Sequence, residues 1–383
     1  MEYRLEELFD LQMGKTPSRD NPDYWGTNDH KWVSIADLSK CGKYIEETKE
    51  CLSDVAIKES GISVVPANTV IMSFKLSIGK TAITPEPMYT NEAIMSFRDK
   101  HIAELEPDYV YYLFLGKDWD SGTNKAVMGK TLNKATLSKI RVSIHPIDKQ
   151  REIVKVLDKM SNLVDLRKRQ LEYYDNLIKA RFVELFENDL KHAELTIGDI
   201  AEEATVGIAN SATHAYSESG IVMLRNQNIR TNYLDDSDLI YITPEFASKY
   251  KKKALKEGDI LITRTGVNIG MACIVPSKYE GCQTFTTLIL RLKREIGITS
   301  EFVCYYINSP LGKGFIDDRK VGGAQPNFGA KQLITMPIVI PDINKQKSFA
   351  SFVKQVDKSK VVVQQALDKT QLLFDKLMQD YFG

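Results

Sequence analysis

The second half of this sequence restates the first. His145-Pro-Ile-Asp-Lys-Gln150 is followed by a long helical run, and Pro341-Asp-Ile-Asn-Lys-Gln346 is followed by another, 196 residues later in a chain of 383. A duplication on this scale limits the fold to two copies of one unit, so it has to be recognised before any element is assigned. A protein built as two copies of one reader suits a target that itself comes in two parts.

Other matches keep the same order. Val64-Val-Pro-Ala-Asn-Thr-Val-Ile-Met-Ser-Phe-Lys-Leu-Ser-Ile-Gly79 places a turn before an apolar run that ends at glycine, and Leu255-Lys-Glu-Gly-Asp-Ile-Leu-Ile-Thr-Arg-Thr-Gly-Val-Asn-Ile-Gly270 answers it at an offset of 191. Lys31-Trp-Val-Ser-Ile-Ala-Asp parallels Gly220-Ile-Val-Met-Leu-Arg-Asn, and Asp108-Tyr-Val-Tyr-Tyr parallels Glu301-Phe-Val-Cys-Tyr. Gly129-Lys-Thr-Leu-Asn133 parallels Gly323-Ala-Gln-Pro-Asn327. The changing offset points to insertions in surface loops around a preserved core pattern.

The helices are the strongest local signal. Leu157, Val164, Leu171, Ile178 and Leu185 recur every seven residues, with Ile153, Met160 and Tyr174 beside them. Adding 196 gives Val353, Lys360, Leu367, Phe374 and Tyr381, so the two seams are in register. A helix of about 38 residues is roughly 57 Å long, more than a globular helix needs. Arg167, Arg181 and Lys360 interrupt the seams, as in an imperfect coiled coil whose long side chains lie along the interface with their charges in water. The competing arrangement packs each helix on the core of its own domain. The matched seams favour a rod paired with its copy.

The division is therefore an α+β recognition domain at 1–147, a spacer helix region at 148–192, a second recognition domain at 193–343 and a C-terminal spacer helix at 344–383. A composition of 43% hydrophobic and 27% charged residues gives each domain enough to bury a core. No run approaches the roughly 18 to 20 apolar residues of a membrane span, and Met-Glu-Tyr-Arg opens the chain with no apolar stretch behind it. The expectation is a soluble, cytoplasmic protein with no membrane association.

Five cysteines without CxxC spacing, and few histidines, predict neither a disulfide framework nor a metal site. Balanced charge, with Lys plus Arg and Asp plus Glu both at 51, argues against a uniformly basic nucleic-acid binder but leaves room for local patches. Asn21-Pro-Asp-Tyr24 looks like the tetrapeptide with which amino-methyltransferases hold a flipped adenine. No glycine-rich turn after a strand precedes it to hold a methyl donor, so it reads as a loop turn. P-loop, GxSxG and HExxH patterns are missing as well, and no catalytic constellation emerges.

Side chains able to read base edges do cluster at matching places. Loop Met13-Gly-Lys-Thr-Pro-Ser-Arg19 supplies Lys15, Thr16, Ser18 and Arg19, and its counterpart from Gly207 supplies Asn210 and Ser211. Lys75 and Ser77 correspond to Arg264, Thr265 and Asn268, while Lys130, Asn133 and Lys134 correspond to Gln325 and Asn327. The second copy adds Arg225, Asn226 and Gln227, together with a basic run that includes Lys251 and Lys252. Arg or Lys can bond guanine and Asn or Gln can pair with adenine, whereas phosphate contacts from lysines position without specifying.

Taken together, these features resemble the specificity subunit of a type I restriction-modification system, over nearly the whole length. The resemblance rests on Gly14-Lys-Thr-Pro-Ser-Arg19 with Tyr24-Trp25 and Trp32-Val33, the stretches ending at Gly79 and Gly270, Gln325-Pro-Asn327, and the two proline-flanked helix entries. It implies two target recognition domains, each reading half of a split DNA site, with two long antiparallel coiled-coil helices fixing the unread gap.

It also implies that two DNA methyltransferase (modification) subunits carrying S-adenosylmethionine dock on the helices, that restriction/translocase subunits join them, and that this chain is a non-catalytic, double-stranded-DNA-binding part without a cofactor of its own. The family commonly has Glu-Gln where this chain has Lys149-Gln150 and Lys345-Gln346. The alternatives are the recognition part of an adenine methyltransferase, which predicts uptake of S-adenosylmethionine, and a coiled-coil scaffold, which predicts no DNA binding.

Overall fold

The structure is a computed structural model that describes residues 1–75, 77–119, 132–210, 212–323 and 326–383. Contacts divide the chain into two compact units, Met1–Lys168 with Gln364–Gly383, and Arg169–Val363. The division cuts through both long helices, so each unit holds one recognition domain and a piece of each helix.

The first unit is centred on a four-stranded antiparallel sheet in the order Phe9–Met13, Ile94–Asp99, Thr69–Ser73, Thr81–Thr84. All five residues of Thr69–Ser73 are buried, because both faces of the sheet are covered. Side chains alternate along a strand. Val70 and Met72 therefore pack against Tyr109, Val110 and Phe114 of the helix Pro107–Gly116, while Ile71 meets Val33, Ile45, Val65 and Met88 on the opposite side.

The second unit repeats this plan. Its sheet runs Ala201–Val206, Leu288–Leu292, Ile260–Ile262, Ala272–Ile274. Ile260 and Ile262 face Phe302 and Val303 of the helix Ser300–Asn308, and Leu261 faces Leu224, Ile229 and Leu255.

A smaller sheet in each unit corrects one sequence parallel. Trp32 and Val33 pair in parallel with Tyr89 and Thr90, and Met223 and Leu224 pair in the same way with Gln283 and Thr284. Trp32 therefore corresponds to Met223, and the earlier match of Lys31 with Gly220 is two residues out of step. The apolar runs look alike at either register, and only strand pairing separates them.

The long helices are Ile147–Leu190, of 44 residues, and Ile343–Phe382, of 40. Within each unit their segments run antiparallel. In the first, Ile153 and Leu157 pack in one cluster with Phe374, Leu377 and Met378, and Arg167 Nη1 donates to the Ala366 carbonyl at 2.5 Å. In the second, Lys360 reaches Asp175 at 2.6 Å and Lys345 reaches Asp189 at 2.9 Å.

Of the expected seam, Leu157, Val164, Ile178 and Val353 are buried, while Leu171, Leu367 and Phe374 are half-buried. The seam changes spacing after Ile178, where the buried ridge becomes Ile178, Phe182, Phe186. The cause is packing on the domain as well as on the other helix. Phe186 has its ring centroid 4.8 Å from Phe302 and 5.7 Å from Phe349. The two expected arrangements thus coexist, with helix pairing and packing on the domain core in the same stretch. Among the described residues no helix is long and apolar enough to cross a membrane.

Candidate nucleic-acid interface

Each unit carries the same stapled loop at the end of a buried strand. In the second, the Thr263 hydroxyl donates to the Asn268 carbonyl and accepts from Met271 N–H at 3.0 Å, and Gly270 N–H donates to the Thr263 carbonyl at 2.9 Å. In the first, the Ser73 hydroxyl donates to the Ser77 carbonyl and accepts from Lys80 N–H at 3.1 Å, and Gly79 N–H donates to the Ser73 carbonyl at 2.9 Å. Gly79 and Gly270 close these loops at φ 86° and 84°, in left-handed backbone that favours glycine.

A second anchor holds the neighbouring segment. Phe328 N–H donates to the Arg264 carbonyl and Leu132 N–H to the Phe74 carbonyl, at 2.9 and 3.2 Å. Leu132 therefore corresponds to Phe328, and the parallel drawn between Asn133 and Asn327 is corrected. Asn133 is a helix cap whose side-chain Oδ1 accepts from Thr136 N–H at 2.8 Å, beside the exposed Lys134. Asn327 aligns one residue ahead of Leu132. Lys130, Ser211 and Gln325 lie outside the described residues.

The second unit gathers its candidates most tightly. The Asn327 backbone is bridged to Thr265 and Val321, and its side-chain carbonyl accepts from Arg264 Nε at 3.2 Å. Asn226 Nδ2 donates to Thr265 Oγ1 at 3.0 Å, while the buried Asn226 Oδ1 has no partner among the described residues. Arg225 and Gln227 converge on Asp238 at 2.9 and 2.6 Å. Asn268 is half-buried in the stapled loop, and Asn210 is exposed after Gly207. Lys251 and Lys252 stand exposed on a short turn. Lys253 is instead committed to the carbonyls of Val206 and Gly207, at 2.8 and 3.0 Å.

In the first unit, Gly14 and Gly207 prove equivalent, since a Cβ at either would collide with the carbonyl oxygen of Thr90 or Thr284. Beyond Gly14, Lys15 Nζ donates to the Ser60 carbonyl at 2.5 Å and the Thr16 hydroxyl to Glu92. Arg19 forms two bonds to Glu50, at 2.5 and 3.0 Å, and stacks 3.7 Å over the Trp25 ring. The Arg19 hydrogen bond holds Glu50 below the usual carboxylate range, and the Thr16 hydroxyl does the same for Glu92.

The Ser18 carbonyl accepts from Trp25 Nε1 at 3.0 Å, Ser77 is exposed, and Lys75 is half-buried near the Phe74 ring. Asn21-Pro-Asp-Tyr24 forms a short 3-10 turn capped by Asn21, whose side-chain oxygen accepts from Asp23 N–H at 3.1 Å.

Two loops on one framework thus present different polar groups. Residues 1–173 and again 191–369 match the type I restriction modification DNA specificity domain. The chain belongs to that family. It is 25% identical over 303 residues to the type I restriction enzyme MjaIX specificity subunit of Methanocaldococcus jannaschii, covering 72% of this chain and 69% of that one. It is 21% identical over 384 residues to the EcoprrI specificity subunit of Escherichia coli, covering 92% and 86%.

In fold, it is similar to the S subunit of a type I restriction-modification system from M. genitalium, at TM-score 0.56 and 14% identity, covering 100% and 96%. A chain from a type I complex described for its assembly and conformational transition gives TM-score 0.61 at 15% identity, covering 100% and 97%. The two-copy plan is therefore that of the specificity-domain family, and the duplicated helix entries are part of it.

Proposed function

We propose that each stapled loop, with the segments bonded to it, reads one half of a split double-stranded DNA site, and that the paired long helices set the unread gap. The observation that carries this reading is the pairing of one loop framework with two different sets of side chains. Arg264, Thr265 and Asn268 in the second copy answer Phe74, Lys75 and Ser77 in the first. Two different words are then read by one mechanism, with Arg, Asn and Gln bonding base edges and Lys251 and Lys252 neutralising phosphates.

The chain supplies address and geometry but no chemistry. Two modification subunits dock on the helices, bind S-adenosylmethionine and methylate a flipped adenine; restriction subunits join this core in the cytoplasm. On the first long helix, Leu163 and Leu166 in the first unit, and Tyr173 and Leu177 in the second, are exposed and offer apolar surface in each unit for such docking.

The test is binding of the assembled complex to a duplex selected from a random pool. A split site whose affinity falls steeply with salt supports the reading; a single continuous site, or no selection, overturns it. Calorimetry of the isolated chain with S-adenosylmethionine should show no uptake, and clear uptake would favour a methyltransferase instead.

A further inference from the structure

Val267, at the tip of the second stapled loop, has a relative exposure of 102%, against 62% for Val321 on the segment that flanks Asn327. The loop does not hold its shape by packing this side chain. It is closed by the Thr263–Asn268 and Gly270–Thr263 bonds and fastened at Arg264 by Phe328 N–H. Gly266, immediately before Val267, takes the turn at φ 86°.

Polar residues suit such a tip better, since their side chains bond nearby backbone. A β-branched aliphatic there offers the fold nothing, but it does present a stiff pair of methyl groups to whatever the loop meets. Arg264, Thr265, Asn226 and Asn327 surround the base of the same loop. Ser77 and Asn268 accept equivalent staple bonds, and in the sequence each follows an aliphatic residue, Leu76 (outside the described residues) and Val267.

We infer that Val267 is a specificity-determining residue of the second copy, packing against the C5-methyl group of a thymine in the major groove. The inference rests on the DNA-reading function proposed above. Of the four bases only thymine carries a methyl group on the major-groove edge, and small aliphatic contacts read it. An aliphatic tip among hydrogen-bonding neighbours reads the one base feature that those neighbours cannot bond.

The experiment uses the full complex with its modification subunits and the duplex it selects, replacing each thymine of the second half-site singly by deoxyuridine. One replacement should weaken binding by the wild type about fourfold, the value of burying one methyl group. Val267→Ser should bind the thymine duplex about as weakly and be indifferent to that replacement, while Val267→Ala should fall between. Because Val267 touches no core, a folding defect is not expected, and a thermal melt of each variant checks this.

The inference is overturned if no replacement weakens the wild type, if Val267→Ser loses as much as the wild type on replacement, or if the selected half-site lacks thymine. A complex that selects no duplex overturns the DNA-reading function as well. One that selects a duplex but ignores the methyl group overturns the role of Val267 alone.

Discussion

Gln150 and Gln346 make the same three hydrogen bonds in the two halves of the chain. The Gln150 amide donates to the carbonyls of Glu104 and His145 at 2.8 and 2.9 Å and accepts from Glu106 N–H at 3.1 Å. Gln346 donates to Gly297 and Pro341 at 3.0 and 2.8 Å and accepts from Thr299 N–H at 2.8 Å. Both side chains are essentially fully buried, so each ties the start of a long helix to the loop that enters a domain helix.

Replacing Gln346 by leucine removes the partner of one N–H and two carbonyls, of which the Pro341 carbonyl is buried and the Thr299 and Gly297 groups are partly open to solvent. Since each such group costs about 1–3 kcal/mol when buried and part of that is relieved by solvent and relaxation, the expected loss is about 3 kcal/mol in urea unfolding. Gln346→Glu should cost as much, because an ionised carboxylate cannot donate to either carbonyl. A variant as stable as the wild type would show that the clip is dispensable.

Asn327 is the point where the framework and the proposed reading residues meet. Its backbone is paired on both sides, and its side chain orients Arg264 through a 3.2 Å bond. Asn327→Ala should weaken binding to the second half-site by about tenfold to a hundredfold, the range of one good bidentate base contact, and leave discrimination at the first half-site intact. Competition between duplexes altered in one half-site at a time measures both, and equal loss at the two would count against modular reading.

The repeat also isolates one buried charge. Arg291 bonds Asp259 twice, at 2.9 and 2.7 Å, and Glu203 once at 2.9 Å, with the Asp259 side chain 1% exposed. Strand pairing sets Arg98 in the place of Arg291 and Asp10 in that of Glu203, while Asn68 and Gly258, both left-handed, set Thr69 in the place of Asp259. Arg98 consequently keeps a bond to the Val64 carbonyl but has a buried Nε without a partner among the described residues, beside a cleft of about 380 Å³.

Breaking the complete pair with Asp259→Ala should cost about 3–5 kcal/mol. Adding the missing carboxylate with Thr69→Asp should gain about 1 kcal/mol by satisfying Nε. Chemical denaturation of both variants decides, and a destabilising Thr69→Asp would mean that desolvating the new carboxylate outweighs the bond.

Much of this architecture is legible in the sequence because duplication gives every element a second reading. The strands ending at Gly79 and Gly270 and the helices entered at Gln150 and Gln346 carry periodic apolar residues, and periodicity survives drift. Register was less legible. Asn133 and Asn327 are the same residue type near the same place, yet one caps a helix and the other bridges two segments, a distinction made only by the anchor bonds of Leu132 and Phe328, which Asn133 follows and Asn327 precedes. The role inferred for Val267 is hard to read from sequence for a different reason: base-reading side chains are expected to be polar. The sequence does hold a clue, since an aliphatic residue precedes both Ser77 and Asn268.

The Arg19–Glu50 pair gives the first copy a defined response to acid. Glu50 has its pKa lowered from 4.5 chiefly by the Arg19 hydrogen bond, so the folded state binds a proton less readily than the unfolded chain does. A carboxylate depressed in this way contributes stability that is fully present above its unfolded value and is lost as pH falls through the folded one. The stability difference between wild type and Glu50→Gln should therefore be constant from pH 7 down to about 5 and shrink below that. Its size is limited by solvent, since the Glu50 side chain is 35% exposed, and less than about 1 kcal/mol is expected at neutral pH. Releasing Arg19 from Glu50 leaves its guanidinium stacked on Trp25 with free donors, so Glu50→Gln should also tighten non-specific DNA binding at low salt. Urea unfolding at pH 7 and pH 4, with duplex binding at pH 7, tests both consequences. A stability difference that persists unchanged at pH 4 would show that the carboxylate charge is not what joins the two residues.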